Sequence, residues 1–191
     1  MKHKIALIIL LIIIFISAIF FIKKNNYKKT YFDLDKDNIK EEIILKNKIA
    51  YILKNKKIIW ESNKDYVIDN FIIGDINNNG DIKIAFSVWK YGNYGDDLPF
   101  WVKENDNFFG NHLFVYKLIN NTLKMTWGSS TLDKPIIDFK IKNTNENKKE
   151  LIILEGNYNT NNRDLSVWYW NEWLFYKNSE KKSNWIQFIL Y

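Results

Sequence analysis

Carboxylates at alternating positions are the chain's clearest chemical signal. In DLDKDNIKEEIIL, Asp33, Asp35 and Asp37 stand at positions 1, 3 and 5 of a short loop, with the Ile39 carbonyl two residues on and Glu41 at position 9. Hard oxygens at that spacing suit calcium, which takes six to eight oxygen ligands from side chains and a backbone carbonyl. Asn38 occupies the tight-turn position where glycine is usual. A second loop, DINNNGDIKIAF, offers Asp75, Asn77 and Asn79 with Gly80 at the turn, but Lys83 falls where the last carboxylate belongs. An ammonium there replaces the ion's charge and holds the loop closed without metal. The third loop, KNTNENKKELIIL, has no leading Asp and keeps only Glu146 and Glu150. Calcium is therefore the one candidate cofactor, with the first loop its site. The plain alternative for each loop is an Asx turn satisfied by its own backbone.

Aromatic rings are the second signal. The chain has 8 Trp, 11 Tyr and 13 Phe residues. Most read as strand residues that fill cores. Those in the polar stretch Tyr91–His112 are less committed to a core. Tyr91, Tyr94, Phe100, Trp101, Phe108 and Phe109, with the acids Asp96 and Asp97 among them, form a candidate stacking surface for a sugar or peptide.

Catalysis has little to draw on. Cysteine is absent, and His112 is the one histidine beyond the N-terminal segment. A thiolate or multi-histidine metal site is thereby excluded, and a Ser–His–Asp system would have to recruit His112. Ser129 and Ser130, in WGSSTLD, read as a turn. The chain is read as a non-enzyme. The rival is a carbohydrate-active enzyme pairing Asp96 or Asp97 with a second acid.

The elements that position these residues are strands. Short apolar segments rich in Ile, Val, Tyr, Phe and Trp alternate with Asn, Asp, Gly and Lys clusters. Hairpins are expected at Ile49–Trp60, turning near Asn55, at Leu113–Trp127, turning at Asn120–Asn121, and at Val167–Tyr176, turning at Asn171–Glu172. Each follows one of the polar loops and its strand. Each precedes a further apolar strand, beginning at Tyr66, Lys134 and Trp185. The unit of loop, strand, hairpin and strand occurs three times, giving about four strands per unit. A single irregular β-sandwich is the alternative. Tyr91–His112 and Gly156–Asp164 are inserted at the same point of the second and third units, so both are expected on one face.

D-x-D-x-D loops, each feeding an apolar strand at blade-length spacing, resemble the FG-GAP or VCBS-type repeats of integrin-alpha-like β-propellers. The likeness covers residues 31–191, most clearly Asp33–Leu45 and Asp75–Val88. It implies an extracytoplasmic domain for adhesion, recognition or assembly, with calcium in the blade loops. Such propellers usually close with more blades than three. The resemblance leaves open an open arc, a shortened closure and a homo-oligomer.

Residues 1–30 are separate in kind. Ile5–Ile22 is apolar except for Ser17 and as a helix would run roughly 27 Å, about the hydrocarbon thickness of a bilayer. It reads as a single transmembrane anchor, followed by a polar link over residues 23–30. A cleaved signal peptide, which would make the domain secreted, is the alternative, and a buried core helix a further one. Six lysines within residues 1–30 account for the whole formal charge of +6, leaving residues 31–191 neutral. That distribution argues against nucleic-acid binding, which concentrates basic residues on the domain itself. The lysine balance across the helix slightly favours a cytoplasmic domain. The inflated Lys content of the whole chain discounts it, and an extracytoplasmic domain is expected.

The overall expectation is an all-β chain: an N-terminal transmembrane helix, then a β-propeller-like array of about three four-stranded units over residues 31–191. It would serve as a membrane-anchored extracytoplasmic recognition or scaffolding module for a protein or cell-wall glycan. A structural subunit of a larger membrane complex is the third reading.

Overall fold

The computed structural model describes residues 27–93, 103–104, 106–146 and 148–178. The expected helix 5–22, Tyr94, Asp96, Asp97, Phe100, Trp101 and the strand from Trp185 lie outside these residues. Among the described residues no helix is long and apolar enough to cross a membrane.

Among the described residues the fold is all-β, with twelve strands in three four-stranded antiparallel sheets, each built from consecutive strands. The first sheet contains β1 (Tyr27–Phe32), β2 (Glu41–Lys46), β3 (Ile49–Lys54) and β4 (Lys57–Glu61). The second contains β5 (Val67–Gly74), β6 (Lys83–Tyr91), β7 (Phe109–Ile119) and β8 (Thr122–Gly128). The third contains β9 (Ile136–Asn143), β10 (Lys149–Glu155), β11 (Asp164–Asn171) and β12 (Leu174–Lys177).

This grouping differs from the expected unit by one strand. The strands beginning near Tyr66 and Lys134 do not finish the preceding sheets; as β5 and β9 they open the second and third. The first sheet is opened by β1, whose residues 27–30 fall in the polar stretch read as a link. YKKTYF carries too few apolar residues to announce a strand, and β1 is an edge strand, mostly exposed, held by its ladder to β2.

Two-residue turns fix the registers. Asn47–Lys48, Asn55–Lys56 and Asn120–Asn121 have positive φ at both positions, the requirement of a type I′ hairpin turn. In the third hairpin Asn171 pairs with Leu174, so the turn is Glu172–Trp173, one residue later than expected. Glu172 has φ 54° and Trp173 N–H donates to the Asn171 carbonyl at 2.7 Å.

The sheets stack face to face. Ile43, Leu45, Ala50 and Ile52 of the first pack on Ile68, Phe71, Ile84, Phe86 and Tyr116 of the second, with Trp60 stacked on Phe86. The opposite face of the second sheet sets Ala85, Leu113, Val115 and Trp127 against Phe139, Leu151, Ile153 and Phe175 of the third. A side chain shape that alternates across both faces explains why β6 and β7 are buried almost throughout: theirs is the middle layer. This stacking also fixes the ends, so the Asp-rich loops emerge together at one end and the long insertions at the other.

Candidate functional site

At the loop end, the first two loops share one backbone design. Both oxygens of Asp33 accept N–H groups, from Asp37 (3.1 Å) and Asn38 (2.9 Å), and Asp37 Oδ1 accepts from Ile39 (2.8 Å). Asp75 likewise accepts from Asn79 and Gly80 (both 3.0 Å), and Asn79 Oδ1 accepts from Asp81 (3.0 Å). The left-handed residues also correspond: Lys36 and Asn38 in one loop, Asn78 and Gly80 in the other. Asn tolerates that backbone best among non-glycine residues, which is why Asn38 stands in for Gly80. Lys36 Nζ reaches the Gly80 carbonyl, and Asn78 exchanges bonds with the Lys149 backbone, so each loop braces the next. The third connection is only a five-residue turn, closed by Thr144 and Lys148.

The cation of the first loop is a lysine. Lys54 Nζ lies 2.7 Å from Asp35, 2.6 Å from Asp37 and 3.0 Å from Glu41. Glu41 is fully buried and also accepts the Leu34 N–H at 2.8 Å. Burial works against the charged Lys54 ammonium, but the three carboxylates outweigh it and hold its pKa above the ordinary lysine value. Lys54 in turn, with the Ile39 N–H, holds the Asp37 carboxyl below the usual carboxylate range. In the second loop Lys83 Nζ donates to Asn77 (2.7 Å) and Asn79 (2.8 Å), as its position 9 placement implies. Lys117 of β7 pairs with Asp81 at 2.8 Å.

Lys54 lies outside the loop motif. Its signal is register: the Asn47–Lys48 turn pairs Glu42 with Leu53 and so sets Lys54 opposite Glu41.

As a calcium site the first loop has suitable donors. Ligand oxygens of Asp33, Asp35 and Asp37 lie within 4.8 Å of one another, and Asp35 Oδ1 is buried without a hydrogen-bond partner. Four carboxylates against one ammonium leave an excess of negative charge. Lys54 contacts three of these four acids, so a calcium ion here would compete with its ammonium. The second loop pairs two carboxylates with two lysines and has no such excess.

At the opposite end, the two insertions meet. Tyr158, from the β10–β11 connection, lies edge-on to Trp89 (5.8 Å between centroids) and to Phe108 (5.3 Å). Phe109 stacks on Trp89 at 5.6 Å and contacts Tyr91 at 4.9 Å. Tyr91, Phe108 and Phe109 remain 66%, 50% and 37% exposed. These three site candidates are thus drawn into one cluster. Trp89 and Tyr158 complete it: Trp89 and Tyr91 lie in β6 and Phe109 opens β7, while Phe108 and Tyr158 come from the two connections.

A buried polar frame holds the cluster. Asn111 is fully buried; its Nδ2 donates to Ser87 Oγ (3.0 Å) and its Oδ1 accepts the Ile136 N–H (2.9 Å). Its own N–H donates to Tyr158 Oη (3.1 Å), which donates to the Leu132 carbonyl (2.8 Å). Trp89 Nε1 donates to Asp69, which pairs with Lys48 at 2.6 Å. Gly110 is required here, since a Cβ would lie 2.3 Å from Thr131 Cγ2. His112 is buried, with Nδ1 3.1 Å from the Ser129 carbonyl; burial lowers its pKa. That contact and the neighbouring Thr131 Oγ1 make it part of the frame.

No known protein family, curated protein or solved structure matches the chain.

Proposed function

We propose that this chain is a recognition or scaffolding module that contacts its ligand through the aromatic end, where Tyr91, Phe108 and Phe109 stand over Trp89 and Tyr158. The observation that carries this reading is the convergence of both insertions on one cluster whose outer rings stay exposed. Planar rings held rigidly from beneath offer apolar faces to the C–H faces of a sugar at little entropic cost. A cell-wall glycan is the ligand class that suits it best; a protein segment is the other. Residues 5–22 serve as the membrane anchor in this proposal, with the domain extracytoplasmic. The FG-GAP or VCBS-type, propeller-like reading draws support from the matching loop bonds around Asp33 and Asp75 and from the serial sheets. Calcium enters the first loop in exchange for the Lys54 ammonium.

The test is retention of the full chain, in mild detergent, on insoluble cell-wall glycan. Wild type is retained and the double variant Tyr91→Ala, Phe108→Ala passes through, both with unchanged melting. Equal retention of the two overturns the reading. The enzyme alternative rests on Asp96 and Asp97, and release of reducing sugar from the same glycan would favour it. A structural subunit is favoured by another observation. The outer face of the first sheet carries exposed Tyr31 and Ile58 beside half-buried Ile44, Tyr51 and Leu53. An Ile58→Asp variant that loses complex formation but keeps glycan retention would assign that face to assembly.

A further inference from the structure

The register of the first strand decides at which end of the stack the described chain begins. β1 pairs with β2 so that Tyr27 stands opposite Lys46, beside the Asn47–Lys48 turn. The Lys48 carbonyl accepts the Ile68 N–H (2.9 Å), and its ammonium pairs with Asp69 at 2.6 Å. Asp69 holds the indole of Trp89, on which Phe109 stacks. Tyr27 therefore lies at the aromatic end, and β1 runs from there to the Asp-rich loops of the other end. Lys28 ties this start down. Its Nζ donates to Asn70 Oδ1 (2.7 Å) and to the Phe71 carbonyl (2.9 Å), and Asn70 Nδ2 donates to Asp138 (2.6 Å). One side chain from each opening strand, β1, β5 and β9, is thus joined in a line across the three sheets.

Five residue steps separate Tyr27 from Ile22, the last residue of the apolar run, and they span at most about 18 Å. β1 carries the chain roughly 17 Å further before the first Asp-rich loop. The two ends also differ in what they show to solvent. Tyr27, Tyr91 and Phe108 are each at least half exposed at the aromatic end, and rings of this kind settle at headgroup level. The other end is lined with charged pairs, Lys54 with Asp35 and Asp37 in one loop and Lys117 with Asp81 by the next.

We propose that the aromatic end faces the bilayer, and that the glycan it takes is carried on a membrane lipid. The inference rests on the anchor and glycan readings above and makes them one: Tyr91, Phe108 and Phe109 open into the layer just above the headgroups. A sugar tethered to a lipid is held in that layer at high effective concentration.

The chain has no cysteine, so single introduced thiols report the orientation. Asn159 follows Tyr158 at the aromatic end, Thr122 opens β8 at the other end, and both are exposed. The full chains Asn159→Cys and Thr122→Cys are placed in phosphatidylcholine vesicles containing a maleimide-headgroup lipid. Normalised to soluble maleimide, lipid coupling is about tenfold or more faster at Asn159→Cys. Equal coupling, or faster coupling at Thr122→Cys, overturns the orientation whatever the glycan retention shows. Adding a lipid-linked N-acetylglucosamine tetramer to the vesicles slows coupling at Asn159→Cys and spares Thr122→Cys. Unchanged coupling in a chain that is still retained on insoluble glycan overturns the lipid-linked ligand. Loss of that retention, with the contrast between the two thiols intact, removes the glycan and leaves the orientation standing.

Discussion

Replacing Lys54 by Met removes the cation around which the first loop is built. The ammonium is 9% exposed and touches three carboxylates, of which Glu41 is fully buried while Asp35 and Asp37 are 22% and 40% exposed. Removing one partner of a buried ion pair costs about 3–5 kcal/mol, and the partial exposure of two acids brings the expectation down to about 2–3 kcal/mol. For a domain of this size that is a fall in Tm of roughly 4–12 °C. The variant also leaves Asp33, Asp35, Asp37 and Glu41 without that cation, which tests the proposed calcium site. If its affinity is in the range of about 10⁻⁴ to 10⁻³ M, about 5 mM calcium restores roughly 1–2 kcal/mol. Wild type gains less, since its ion must first expel Lys54. Acid distinguishes the two proteins as well. Asp37 is held below its ordinary pKa by Lys54, so its contribution is complete above pH 4 and is lost as pH falls through its folded value. In Lys54→Met that hold on Asp37 is gone, so its share of the gap to wild type narrows on acidification. The assay is calorimetry of both proteins at pH 7, with calcium and with chelator, and again at about pH 3. A calcium gain in wild type equal to or larger than that of Lys54→Met would refute the reasoning, because the ion would not be competing for these oxygens.

Three further outcomes follow from the buried frame and the core. Asn111→Ala strips the Ile136 N–H of its acceptor and should cost about 2–3 kcal/mol in chemical denaturation. Burial lowers the His112 pKa below its unfolded value near 6.5; stability is therefore full above that pH and declines below it as the unfolded chain takes up the proton first. His112→Gln should flatten that decline between pH 7.5 and 5.5 in denaturation midpoints. Phe175 stands edge-on to Trp127 and Trp170 between the second and third sheets, and Phe175→Ala should cost about 3–4 kcal/mol in the same assay.

Local pattern carried much of this architecture. Asn-centred turns announce the hairpins at Asn55 and Asn120, because few residues accept positive φ and Asn is foremost among those other than glycine. The loops at Asp33 and Asp75 were legible in the same way, through short side chains that bond backbone two to five residues on. Long-range pairing was not legible. β1 is a polar edge strand whose assignment depends on β2, and the strand after each hairpin looks the same whether it closes one sheet or opens the next. The partition is decided by ladder hydrogen bonds and by face-to-face packing, to which apolar periodicity is blind. The same limit applied to the candidate sites. Lys54 reaches Asp35 only through the β2–β3 register, and Tyr158 reaches Trp89 only because the second and third sheets stack. Tyr91, Phe108 and Phe109 were found by composition of the insertion; their shared footing on Trp89 was not.

The indole N–H signals of the eight tryptophans report directly on where a ligand lands. The measurement is a titration of the ¹⁵N-labelled full chain in detergent with a β-1,4-linked N-acetylglucosamine tetramer. Trp89, whose N–H is bonded to Asp69 beneath the exposed rings, should shift and broaden, while Trp60 and Trp127 in the sheet interfaces stay fixed. A shift at Trp173, with Trp89 unmoved, would place recognition at the third hairpin and contradict the account.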